Sequence, residues 1–130
     1  MAETFDVVVV GLGAMGAATI YQLAKRGVRV LGIDQFDPPH AFGSSHGETR
    51  MTRAACAEGF IFTRLAQRSH QLWRAIEEEA GAPESLLTLN GQLVISGPDA
   101  SSSHGVRKFL ADTKEQAEKA SIPHDYLNSQ

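Results

Sequence analysis

Apolar and polar positions along the chain fall into blocks of distinct period. Phe5-Asp6-Val7-Val8-Val9-Val10 ends in an uninterrupted β-branched run closed by Gly11. It predicts a short strand covered on both faces, because such side chains suit the pleat and nothing polar interrupts them. Ala14, Ala17, Ala18, Tyr21 and Ala24 then recur at threes and fours. They predict a helix over 14–26 with a small-residue face for close packing on a sheet, ended by Gly27 as a left-handed cap. Val28-Arg29-Val30-Leu31-Gly32-Ile33 predicts a second strand ending at Asp34.

Periodicity is lost from Gln35 to Gly59, where Asp37-Pro38-Pro39 turns the chain. It returns at Thr63 with an amphipathic helix that stops at Gly81-Ala82-Pro83. Its stripe of Leu65, Ala66, Leu72, Trp73, Ile76 and Ala80 reads as core, and Glu77-Glu78-Glu79 as a solvated face. Leu86–Leu89 and Gln92–Ile95 around Asn90-Gly91 predict a β-hairpin, since those turn residues tolerate positive φ. Asp99 and Ser101-Ser102-Ser103 offer N-caps for a last helix to about Ala120, with Val106, Phe109, Leu110, Thr113 and Ala117 inward. Ile122–Leu127 reads as the start of another strand.

Strand, helix, strand in that order predicts a parallel βαβ unit, and its first turn carries chemistry. Gly11-x-Gly13-x-x-Gly16 supplies a tight turn, a bare backbone that a pyrophosphate can approach, and a side-chain-free spot where helix meets strand. Amides and dipole at the helix start, around Ala14 and Met15, favour phosphate. Asp34 follows Gly11 by 23 residues, close to the ~20-residue offset of a ribose-binding carboxylate. Together these predict a dinucleotide site without choosing flavin or nicotinamide. The following loop, Gly43-Ser44-Ser45-His46-Gly47-Glu48-Thr49-Arg50, gathers hydroxyls, an imidazole and a guanidinium, and loops this long in compact domains are usually functional.

Composition narrows the alternatives. The chain has 130 residues, 42% hydrophobic, with net charge −3 from 12 basic and 15 acidic residues, so one modest globular domain is expected. The scattered basic residues offer no stripe for nucleic acid. The single Cys56 allows no internal disulfide, and no apolar run suggests a membrane span or cleaved leader, so a cytoplasmic location is expected. No metal-ligand spacing stands out. Two strands before the hairpin are too few for a doubly wound sheet, so the chain reads as the N-terminal part of a larger protein.

The segment Asp37-Pro38-Pro39-His40, Gly43-Ser44, His46-Gly47-Glu48-Thr49-Arg50, Arg53 and Glu58-Gly59 resembles the amine-oxidising flavoproteins of the monomeric sarcosine oxidase and N-methyltryptophan oxidase group, in the D-amino-acid-oxidase-like superfamily. The similarity runs on through Leu72-Trp73 to the hairpin. It implies an α/β fold: a Rossmann-like FAD-binding domain begun by residues 1–82, and an α+β substrate domain begun by 83–130. It also implies FAD as cofactor, held by Gly11, Gly13, Ala14, Met15, Gly16, Asp34, Gln35, Ser44, Thr49 and Arg50. The implied reaction takes a secondary amine or N-methyl amino acid to an imine and reduces oxygen to hydrogen peroxide, in a monomeric protein.

In this resemblance Arg50 and His46 are the catalytic positions, Arg50 stabilising negative charge, while Arg53 pairs with a substrate carboxylate through its planar fork. His40 is expected to pack the loop near the cofactor and Glu48 to pair with an arginine. Cys56 and Phe62 stand where the group's best-known members have tyrosine, and Ser45 where they have histidine, which changes the contacts a substrate would meet. The flavin-linking cysteine and oxygen-activating lysine of the group would lie beyond Gln130, so the isolated chain is expected to be inactive. Two rival readings are a nicotinamide-dependent dehydrogenase of the β-hydroxyacid type, which the same glycine turn would suit, and a non-catalytic nucleotide-binding fragment.

Overall fold

The computed structural model describes residues 3–47, 49–95 and 106–127. Residues 1–50 and 51–130 form separate compact units. The first contains β1 (Val7–Val10), α1 (Ala14–Ala24) and β2 (Val30–Ile33); the second contains α2 (Phe60–Ala80) and α3 (Val106–Lys119).

In the first unit β1 and β2 pair in parallel, Val7 opposite Val30 and Val10 opposite Ile33. The ladder runs on through the Gly11 amide, which donates to the Ile33 carbonyl at 2.7 Å. At the other end Arg29 clasps Asp6 through Nη2 to Oδ1 at 3.0 Å and Nε to Oδ2 at 3.2 Å. Two glycines bring α1 onto this pair. A Cβ on Gly16 would lie 1.7 Å from the Gly11 carbonyl oxygen and 3.5 Å from Val9 Cγ1, so this helical turn rests directly on the end of β1. A Cβ on Gly32 would lie 2.4 Å from Ile20 Cδ1 and 2.8 Å from Leu12 Cδ2, so β2 is bare where the helix side chains descend. After α1, the Gly27 amide donates to Ala24 and the Val28 amide to Leu23, with Gly27 at φ 75°. That is the paired-bond stop expected of this glycine.

The expectation that β1 is covered on both faces is not met. Val7 and Val9 are half-buried, whereas Val8 and Val10 are 52% and 82% exposed. A single helix covers only one side of a two-stranded sheet, and side chains alternate between its sides. The parallel βαβ order and the α/β class stand as expected.

The second unit has its core at Ala55, Cys56, Leu87 and Ala117, with Thr63, Thr113 and Gln116 buried among them. Helix α2 begins at Phe60, three residues before the predicted start, after Gly59 at φ 136°. Thr63, in its first turn, is fully buried and accepts a hydrogen bond on Oγ1 from the Cys56 amide at 3.0 Å, tying the preceding turn to the helix. The helix stops at Gly81, φ 57°, as predicted. Ser121, at φ 53°, does the same for α3: its amide donates to Glu118 and the next, Ile122, to Ala117. Leu110, Thr113 and Ala117 face inward as predicted. The N-caps expected at Asp99 and Ser101–Ser103 lie outside the described residues.

Three expectations for this unit change. The α2 stripe is largely open, with Leu65, Leu72 and Trp73 exposed, because a two-helix unit packs each helix along one side only. Residues 86–95 contain no strand, so the predicted β-hairpin does not form there, although Gly91 adopts a turn-like φ of 80°. Leu89, Leu93 and Ile95 are exposed, and a two-stranded ribbon with no third strand or helix on its apolar face is marginal in water. Residues 122–127 likewise contain no strand. Glu77 is no solvated face either: its carboxylate accepts from Arg74 Nη1 at 2.7 Å, the Leu87 amide at 2.8 Å and Ser85 Oγ at 2.9 Å, fastening the 85–87 segment to α2.

Candidate dinucleotide site

In the first unit the chain leaves β1 at Gly11, φ 91°, a left-handed conformation that favours glycine. It enters α1 through Gly13, which supplies no side chain to cap the helix. A Cβ on Gly13 would meet nothing within 4 Å. The first turn holds no acidic residue, so its amides and positive dipole end are offered to an anion. A cavity of about 460 Å³ opens over this turn, lined on one side by Leu12, Gly13 and Ala14 and on the other by His40, Ser45 and His46. The missing Cβ at Gly13 is the opening a phosphate would use, so the residues present fit the diphosphate of a dinucleotide. Met15 is exposed beside the turn, and Gly16 is the packing glycine.

At the end of β2 the Asp34 carboxylate is gathered in by its neighbours. Oδ2 accepts from the Leu12 amide. Oδ1 accepts from the Phe36 amide at 2.9 Å and lies 3.4 Å from His40 Nε2. The Phe36 and Leu12 amides hold this carboxyl below the usual carboxylate range, against the opposing effect of its burial, and His40 adds to the lowering. His40 is itself set by the Phe42 amide, which donates to Nδ1 at 3.2 Å, and by the Phe36 ring, 5.2 Å away and edge-on. Asp34 is mostly enclosed, and two of its partners, Leu12 and His40, line the cavity.

The loop beyond it turns through the cis Pro38–Pro39 bond and through Gly47 at φ 123°. His46 faces the cavity, and its Nδ1 is hydrogen-bonded to the Gly43 carbonyl. A carbonyl can only accept, so Nδ1 carries a proton in this hydrogen bond. Arg50 Nη1 donates to the His46 carbonyl at 3.3 Å, bracing that turn. The cavity thus brings together Gly13, Ala14 and His46 of the predicted residues. Gln35, Ser44, Thr49 and Arg50 are exposed and do not line it, while Glu48 lies outside the described residues. In the second unit Arg53 Nη2 donates to Glu58 Oε1 at 2.6 Å, and its guanidinium lies 5.8 Å from the centre of the Phe109 ring. The Arg53 guanidinium contributes to lowering the Glu58 carboxyl, after the backbone of Glu58 itself.

Comparison with known proteins resolves which dinucleotide is meant. The model of FAD dependent oxidoreductases matches residues 6–130. The chain belongs to this FAD dependent oxidoreductase family. It is 46% identical over 127 residues to a monomeric sarcosine oxidase of Bacillus sp. (strain B-0618), covering 98% of the chain and 30% of that protein. It is 36% identical over 129 residues to the monomeric sarcosine oxidase of Streptomyces avermitilis, covering 99% of the chain and 31% of that protein. It is 36% identical over 125 residues to an N-methyl-L-tryptophan oxidase of Yersinia pestis (strain Pestoides F), covering 96% of the chain and 31% of that protein. The chain therefore spans a little under a third of the length of these relatives. The family is FAD dependent, so the nicotinamide alternative falls away. Among the described residues no helix is long and apolar enough to cross a membrane, and no cluster of metal-ligating side chains occurs.

Sequence reasoning missed two residues that shape this site. Gly32 lets α1 settle on β2; an isolated glycine inside a strand is the signal for such a close approach. The pairing of His40 with Asp34 had no periodic or motif signal, because it depends on how the Pro38–Pro39 turn folds back.

Proposed function

We propose that this chain is the cofactor-binding start of an FAD-dependent oxidase acting on a secondary amine or N-methyl amino acid. The carrying observation is that relatives named for sarcosine and N-methyltryptophan oxidation match nearly all of the chain. When bound, FAD supplies the two-electron chemistry, and the protein's part is position and electrostatics. The amides of the α1 first turn hold the diphosphate and Asp34 the adenosine ribose. Gln35, Ser44, Thr49 and Arg50 border the cofactor, and Arg50 adds fixed positive charge. His46, which lines the cavity, exchanges a proton there. Arg53 receives the substrate carboxylate: a guanidinium has five N–H donors, and its bond to Glu58 engages Nη2.

In this reading residues 1–82 belong to the FAD domain and 83–130 to the substrate domain of a monomeric, cytoplasmic protein, and oxygen is the electron acceptor. The 130 residues alone bind FAD weakly and turn nothing over, because the apolar sides of β1 and α2 are uncovered; tight stoichiometric retention of FAD by the isolated chain would contradict this. The substrate reading is tested by peroxide release from sarcosine and N-methyltryptophan with the full-length protein, and by Arg53→Met. The substitution should raise KM for an N-methyl amino acid and leave KM for the matching amine without a carboxylate unchanged. An equal effect on both removes Arg53 from the carboxylate site.

A further inference from the structure

The surroundings of Asp34 contain more than a ribose-binding acid. A carboxylate offers two acceptor positions on each oxygen. On Oδ1 the Phe36 amide at 2.9 Å takes one, and His40 Nε2, 3.4 Å away, faces the other. On Oδ2 the Leu12 amide takes one, and among the described residues no second donor reaches this oxygen. The hydrogen on His40 is directed by chemistry. The Phe42 amide can only donate, and it does so to Nδ1 at 3.2 Å, so the neutral ring carries its proton on Nε2, toward Asp34. The ring is kept in that pose by Phe36, at 5.2 Å edge-on, and Phe42, at 5.8 Å.

We propose that His40 is a positioning residue for the ribose: standing 3.4 Å from Oδ1 of Asp34 it covers the remaining approach to that oxygen, so the adenosine is read through Oδ2 and one ribose hydroxyl rather than two. The proposal rests on the reading that Asp34 holds the ribose. Leu12 and His40, which flank the carboxylate, both line the cavity that leads to the first turn of α1, so a ribose attached to a diphosphate there meets Asp34 between them. The backbone amides fix the carboxylate, and His40 determines how many of its acceptors the ligand finds.

The test uses the full-length apoprotein and measures binding of ADP, 2′-deoxy-ADP and 3′-deoxy-ADP by calorimetry, in the wild type, His40→Phe and His40→Gln. Phenylalanine keeps the ring packing and removes both nitrogens; glutamine keeps an N–H donor at the reach of Nε2. In the wild type one deoxy analogue should bind about tenfold more weakly than ADP, the worth of one hydrogen bond to a charged acceptor, and the other within about twofold. In His40→Phe the second hydroxyl should also be read, both analogues losing affinity by several-fold. His40→Gln should return the one-hydroxyl pattern, which a merely structural role would not produce. Equal sensitivity to both hydroxyls in the wild type, or a one-hydroxyl pattern that survives His40→Phe, overturns the role of His40 and leaves the ribose site standing. Wild-type binding indifferent to both hydroxyls overturns the ribose site itself. Should His40→Phe not fold, His40→Met, which also lacks the N–H donor, takes its place with the same expected and overturning patterns.

Discussion

Gly13 and Gly16 stand three residues apart in one motif, yet a methyl added at each would meet opposite surroundings, and alanine substitutions should separate them. At Gly16 the added methyl would sit 1.7 Å from the Gly11 carbonyl oxygen and 2.9 Å from its carbon. Both are backbone atoms at the end of a paired strand, so β1 and α1 must part by more than an ångström. Alanine gains about 1 kcal/mol of intrinsic helix preference over glycine, while forced overpacking of this kind costs about 1–3 kcal/mol and occasionally more. The geometry lies at the severe end, so a net loss of about 2 kcal/mol is expected for Gly16→Ala. At Gly13 the methyl meets no protein atom within 4 Å, and φ −64° suits alanine. Its cost to folding is limited to a poorer helix cap, about 1 kcal/mol or less. The same methyl occupies the approach to the helix amides, and loss of one charge-assisted hydrogen bond of about 1.5–3 kcal/mol weakens FAD binding by roughly 10- to 100-fold. Urea unfolding of the two full-length apoproteins, with FAD titration of each, reads both effects. Gly16→Ala as stable as wild type, or Gly13→Ala with wild-type affinity for FAD, would overturn these two roles.

Three further outcomes follow from the second unit. The Arg74, Leu87 and Ser85 contacts bring the Glu77 carboxyl down from 4.5 to about 2, so its stabilising effect is complete above pH 4.5 and is lost as pH falls through about 2. Urea midpoints between those pH values should fall less steeply for Glu77→Gln than for wild type, and parallel curves would contradict the role given to Glu77. Ser121 holds a left-handed φ of 53° that costs an L-residue about 1 kcal/mol or more. Ser121→Gly should therefore raise stability by about 0.5–1 kcal/mol after the entropy of glycine is offset, read as a higher urea midpoint. Thr63→Val keeps the shape at a fully buried position but leaves the Cys56 amide without its acceptor. A loss of about 1–3 kcal/mol is expected, with Thr63→Ser, which keeps the acceptor and loses only a buried methyl, lower by about 1 kcal/mol in the same unfolding assay.

The first unit was legible because its structure is carried by backbone chemistry that glycine spacing reports: the turn at Gly11, the contact at Gly16 and the stop at Gly27 each require that residue. An acid at the end of β2 was legible by position, and the structure sets Asp34 beside the turn, where it accepts from the Leu12 amide. The hairpin was not, since Asn90-Gly91 specifies a turn while ladder formation needs a partner for the apolar side of Leu89, Leu93 and Ile95, which a local pattern does not supply. The α2 stripe has the same cause: periodicity says which residues can be buried together, and the number of packed neighbours decides whether they are. Glu77 was misread because charge near a helix C-terminus is unfavourable in isolation, whereas here three donors converge on it. His40 was visible as a loop residue, but its service to Asp34 is a product of tertiary folding.

The proposal that the glycine turn and Asp34 begin the FAD site of an amine oxidase can be assayed directly. Its most direct test is to mix the purified full-length protein with sarcosine or N-methyltryptophan without oxygen, follow the visible absorbance, and then admit oxygen. A yellow protein is expected, its flavin band bleaching with one of these amines and returning on aeration with release of hydrogen peroxide. A colourless protein that binds NAD, or a bound flavin that neither amine bleaches, would contradict it.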